Sequence, residues 1–106
     1  MELPRVVVRP GSAGEFVVVC SGEFDADTVG TLVQACRTEA AGAQLLILDM
    51  RGVLFADSSF LNVLIRLRNE GPVALAGPLP SQLLRLLEMT GALALFEVRD
   101  ADAATD

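Results

Sequence analysis

The sequence predicts an α/β fold: one compact domain with a mostly parallel, mixed β-sheet, an N-terminal hairpin and helices packed on the sheet. Short Val- and Leu-rich runs alternate with longer stretches whose apolar residues recur every three or four positions, the pattern of strands and helices taken in turn. Strands joined through helices run parallel, with right-handed crossovers. The first two strand-like runs are separated only by a turn cluster, so they pair antiparallel at one edge.

Residues 5–9 are rich in Val and lead into Pro10-Gly11-Ser12-Ala13-Gly14, whose proline and glycines favour a turn; residues 15–21 return as the second strand. Gly22 to Asp25 then opens a helix over residues 26–41, with Asp25 as its N-cap and Val29, Leu32, Val33, Cys36 and Ala40 as one apolar stripe. Gly30 within it costs stability unless a neighbour packs close to it, and Gly42 is placed to end it. Residues 45–49 form the central strand, a short apolar run that stops at Asp49 and a Gly-containing turn.

The next helix covers residues 58–69. Leu61, Leu64 and Ile65 share one face, Asn62, Arg66 and Asn69 another, and Phe60, Val63 and Leu67 lie between or opposite. That is more apolar surface than one buried stripe requires, so it either crowds against a neighbouring helix or meets a partner. Glu70-Gly71-Pro72 breaks the helix and residues 73–76 make a short buried strand. Gly77-Pro78-Leu79-Pro80 turns the chain into a helix over residues 81–90, with Leu83, Leu84, Leu86 and Leu87 as its core face, and Gly91 stops it. Residues 93–98 read as the last strand, and the acidic tail from Arg99 on, residues 100–106 in particular, is expected to fray.

At 106 residues, 52% hydrophobic and 21% charged, the chain fits a single domain over residues 1–106. No apolar run reaches the roughly 18 residues of a membrane span, and Met1-Glu2-Leu3-Pro4-Arg5 lacks the regions of a signal peptide, so a cytoplasmic protein without membrane insertion is expected. A net charge of -6, with eight Arg scattered among fourteen carboxylates, argues against direct nucleic-acid binding and for protein partners with basic surfaces.

The absence of His removes the usual general base, the commonest nitrogen metal ligand and any Ser-His-Asp triad. Cys20 and Cys36 have no CxxC spacing and read as reduced core residues. With no nucleophile elbow and no phosphate-cradling Gly loop, neither catalysis nor a cofactor or metal is expected. Asp49 ends the central strand where receiver domains carry a phosphoacceptor, but such domains also need a Lys after the last strand, and the chain has no Lys.

The functional signal lies in Phe55-Ala56-Asp57-Ser58-Ser59, between the central strand and its helix. Asp57 or Ser58 is placed to cap that helix and leave a hydroxyl beside free backbone N–H groups. One reading stops at the cap. The other makes Ser58 a phosphoacceptor whose phosphate meets the positive end of the helix dipole while the surface gains roughly 1.5 to 2 negative charges. Ser59 is turned about 100° further around the helix. In α/β sheets functional groups gather at the carboxyl ends of strands, where Asp25 and the Asp57-Ser58 pair would both lie.

This segment resembles the signature of the STAS family, the sulphate transporter and anti-sigma-factor antagonist domains: a strand, a few linking residues, then Asp-Ser-Ser or Asp-Ser-Thr and Gly-Leu-Gly. Gly22-Glu23-Phe24-Asp25 before the first helix, and Leu86-Leu87-Glu88-Met89-Thr90-Gly91 with Phe96, match it in the same order. The bacterial anti-sigma-factor antagonist branch fits best. The resemblance implies the same fold, usually with a last helix over the sheet that this sequence stops short of.

It also implies a binding module without catalytic residues, with Ser58 as phosphoacceptor. The implied partners are an anti-sigma factor with serine kinase activity, from which the unmodified domain frees a sigma factor, and a serine phosphatase that reverses the modification. Asp25, Asp57, Ser59, Phe60 and Asn62 are the expected partner contacts. Phe60 and Asn62 stand where the family usually has Gly, and Phe60 is either a cover for the core or an anchor for the partner. The alternative function is a constitutive STAS subunit of a transporter or signalling scaffold.

Overall fold

The computed structural model of the chain describes residues 2–100. Among these, the strands are β1 (Arg5–Pro10), β2 (Glu15–Phe24), β3 (Leu45–Ala56), β4 (Val73–Gly77) and β5 (Glu97–Asp100). The helices are α1 (Gly30–Arg37), α2 (Ser58–Glu70) and α3 (Ser81–Thr90), with a 3-10 turn over Ala92–Leu95. The sheet runs β1-β2-β3-β4-β5; β1 and β2 are antiparallel and every later pair is parallel. Because spatial order equals chain order, each right-handed crossover steps in the same direction, and the helices land on one face. Leu32 and Cys36 of α1, Phe60 and Leu64 of α2, and Leu83 and Leu87 of α3 accordingly share one core with Val18, Cys20, Leu48, Met50 and Leu75. Val17, Ile47 and Ala76 cluster on the other face.

The mixed sheet, its opening hairpin, and the positions of α2, β4 and α3 are as the sequence predicts. The central strand is not: β3 continues seven residues past Asp49, through the expected turn. Gly52 is the reason. A Cβ there would come within 2.9 Å of the Ser21 Cβ and 3.2 Å of the Cys20 carbonyl, so glycine lets β3 lie close against β2 instead of breaking away from it. The register slips between Val19 and Ser21 and again between Gly22 and Glu23, each time adding one residue to β3. Inward positions thus fall on Met50, Val53 and Ala56, and Leu54 and Phe55 are left 61% and 42% exposed.

α1 is shorter than its apolar stripe. Asp25 Oδ1 accepts the N–H groups of Asp27 and Thr28 and the Thr28 hydroxyl, a local turn that competes with the helical ladder over residues 26–29. The stripe still reaches the core, with Leu32, Cys36 and Ala40 buried and Val29 and Val33 packed on them. No described atom lies within 4 Å of a Cβ built on Gly30, so nothing packs close enough to require glycine there. The last strand is displaced from residues 93–98 as well. Gly91, at φ 76°, reverses the chain, and Ala92 and Leu93 serve the core from a 3-10 turn. Arg99 and Asp100 belong to β5 rather than to the tail. Residues 101–106 and the question of a last helix lie outside the described residues.

Asp49 is buried on the helix-free face. Arg51 Nε and Nη2 donate to its two carboxylate oxygens at 3.1 and 2.9 Å, and the Arg51 backbone N–H adds a bond at 3.2 Å. Burial alone would raise its pKa, but these bonds and the charges of Arg51 and Arg9 hold it below the ordinary carboxylate value.

The surplus apolar surface of α2 is turned inward: Phe60, Leu61, Val63, Leu64 and Leu67 are all buried. Phe60 is fully enclosed, its ring 5.0 Å from that of Phe24 at 44°. Phe60→Ala is expected to cost about 3 to 5 kcal/mol, the range for emptying a buried aromatic site, with some 0.5 to 1.5 from the ring pair. Equilibrium chemical denaturation measures it.

Candidate functional site

The parallel register that aligns Phe24 with Ala56 brings Asp25 and Asp57, the residues that follow, to the same end of adjacent strands. Asp57 has an extended backbone, φ -113° and ψ -169°, and is the N-cap of α2. Its Oδ1 accepts the Ser59 N–H at 2.9 Å and the Phe60 N–H at 3.3 Å, and its carbonyl accepts the Leu61 N–H at 3.2 Å. Ser58 is the first helical residue and is exposed; Ser59 is half-buried; Asn62, one turn on, is exposed.

Two expectations change here. The amides of Ser59 and Phe60 are not left free for a group on Ser58, because the Asp57 carboxylate already takes them. Phe60 offers no surface to a partner, since its ring is wholly inside. It contributes by fixing the first turn of α2.

Asp25 sits half-buried beside this end of the sheet with its carboxylate engaged in its own turn. Its backbone N–H in turn donates to Thr28 Oγ1 at 3.0 Å. From there a groove of about 490 Å³ runs between α1 and α2, with Val29, Gly30 and Val33 on one wall and Ser59, Asn62 and Arg66 on the other. The structure therefore gathers Asp25, Asp57, Ser58, Ser59 and Asn62 around one corner, and separates Phe60 from them.

Sequence reasoning missed Gln82, in the first turn of α3. Its Oε1 accepts the Ala56 N–H at 2.9 Å and its Nε2 donates to the Ala56 carbonyl at 2.7 Å. Nothing in a Gln near a helix start marks such a role, because it depends on which strand end lies opposite. Of the thiols, both are buried and free; burial pushes Cys20 far up and Cys36 to about 11, so both stay protonated and unreactive near neutrality. Among the described residues no three His, Cys, Asp or Glu side chains gather as metal ligands.

Asp57→Ala leaves two first-turn amides without their acceptor and is expected to destabilise the domain by about 1 kcal/mol. Asp57→Asn keeps the acceptor and should lose much less; thermal and urea melts of the pair measure the difference.

The family model described as "Mlab, STAS domain" matches residues 9–97. No curated protein matches the sequence significantly. An anti-sigma factor antagonist from Mycobacterium paratuberculosis is similar in structure, with a TM-score of 0.78 at 22% identity over 97% of this chain and 95% of that one. The antagonist SpoIIAA in its unphosphorylated form gives 0.71 at 22% identity over 94% and 92%. The Bacillus cell fate determinant SpoIIAA in the phosphorylated form gives 0.66 at 19% over 94% and 96%. The structural matches establish the shared fold, and the family model, spanning all but the ends of the chain, establishes that this protein belongs to the STAS domain family.

Proposed function

We propose that this domain is an anti-sigma-factor antagonist switched by phosphorylation of Ser58. The observation that carries the reading is the exposure of Ser58 as the first residue of α2, directly after an Asp that caps the helix and beside the carboxyl end of β2. The likeness to antagonist structures, one of them that of a phosphorylated form, supports it. In this reading the unmodified domain binds an anti-sigma factor with serine kinase activity and frees a sigma factor in the cytoplasm. Phosphorylation ends that binding and a serine phosphatase restores it. The domain itself carries no catalytic group: it has neither His nor Lys to activate Ser58.

The geometry suggests how the switch acts. With the amides of Ser59 and Phe60 held by Asp57, a phosphate on Ser58 closes no new bond to those two. It enjoys the helix dipole but stands outward, next to Asp57 and Asp25. The change is then one of surface charge, felt by a partner that must desolvate this corner. Asp25, Asp57, Ser59 and Asn62 form the rim of the contact. Of the two departures from the family's usual Gly, only Asn62 alters the outer surface, since Phe60 is buried.

The second reading, a constitutive STAS subunit of a transporter or scaffold, draws on that exposed Asn62. Pull-downs from lysate with Ser58→Ala and Ser58→Asp separate the two. The antagonist reading expects Ser58→Ala to retain an anti-sigma factor and Ser58→Asp to bind it roughly tenfold or more weakly, as an unpaired charge at an interface does. Equal recovery of transporter subunits by both variants would favour the scaffold.

A further inference from the structure

The β4 side of β3 changes character after Asp49. β4 pairs with β3 only from Leu46 to Asp49, whereas β2 follows β3 as far as Ala56. At Ala56 the place of a β4 residue is taken by the Gln82 amide, bonded to both the N–H and the carbonyl of Ala56 at 2.9 and 2.7 Å. A primary amide carries the same donor and acceptor pair as a peptide group, so Gln82 does for this one residue what a neighbouring strand would do. Gln82 is otherwise exposed, so its side chain fills no part of the core.

We propose that Gln82 is a positioning residue for the acceptor corner. By holding Ala56, α3 sets the backbone direction from which Asp57 caps α2 and Ser58 is presented. Only Asp57 separates the clamped residue from Ser58, and its extended backbone has to turn strand into helix in a single step. The cap bonds, at 2.9 and 3.3 Å, tolerate little displacement of that residue before they fail. The inference rests on the reading of Ser58 as the acceptor.

Residue-resolved amide exchange on the full chain tests it, comparing wild type with Gln82→Ala and Gln82→Glu. In Gln82→Ala the amides of Ser59 and Phe60, which Gln82 does not touch, should exchange roughly tenfold faster, the scale of one lost hydrogen-bond pair, while Val18 and Leu48 stay unchanged. Gln82→Glu should match it at neutral pH, where a carboxylate has no donor and repels the Ala56 carbonyl. Below a pH of about 4.3 the protonated carboxyl regains one donor and one acceptor, and protection relative to wild type at the same pH should return.

Wild-type exchange at Ser59 and Phe60 in both variants, with Ala56 alone altered, would overturn the proposal. So would uniform acceleration through the sheet, which marks a loss of global stability only. A second arm measures Ser58 phosphate on chains isolated from cells that contain the captured partner, where lower occupancy in Gln82→Ala is expected. An unphosphorylated wild type there counts against the acceptor reading, and the exchange result still decides the role of Gln82.

Discussion

The corner that presents Ser58 depends on the burial of one ring. Phe60 enters the core against Phe24, the last residue of β2, and so ties the first turn of α2 to the strand end beside it. At about 100° per residue, a helix that turns position 60 inward carries position 58 some 200° away, which leaves Ser58 on the outside. Asp57 completes the constraint by taking the amides of Ser59 and Phe60. Ring and cap together leave the first turn little freedom. Phe60 therefore adds nothing to the outer surface while filling the core beneath it.

The sheet carries this corner beyond the end of the β3–β4 pairing. Beyond Asp49, β2 is the only strand neighbour of β3 among the described residues, and two added residues let β3 bend on its way to Ala56. Gly52 permits the close approach, and Gln82 supplies the bonds that a third strand would have made. The result is a strand end held from α3 and from β2. Such an arrangement suits a modification read by a partner, because charge added at its tip need not disturb the helix-covered core.

Much of this was legible in the sequence, for reasons that can be named. The α2 start was visible because Asp-Ser-Ser stands before a dense apolar helix, and α3 because Pro80 and Gly91 bracket its leucines. The reach of β3 was hidden: Gly52 looks the same as a turn residue and as a close-approach residue until the facing strand is known. The split of α1 was hidden as well, since Asp25 caps a turn or a helix with the same side chain. Phe60 could be assigned to core or surface only once Phe24 was seen opposite it. Gln82 carried no signal at all, because its bonds reach across 26 positions of chain.

The assignment of Ser58 as acceptor rests on its exposure at this corner, while Ser59 is half-buried and faces the groove between α1 and α2. Phosphosite mapping by mass spectrometry, after incubation with the kinase recovered as partner, tests it most directly. Phosphate on Ser58 is the expected result. Phosphate on Ser59 alone would contradict it, because the modification would then fall on the half-buried residue that faces the groove and not on the exposed one that follows the cap.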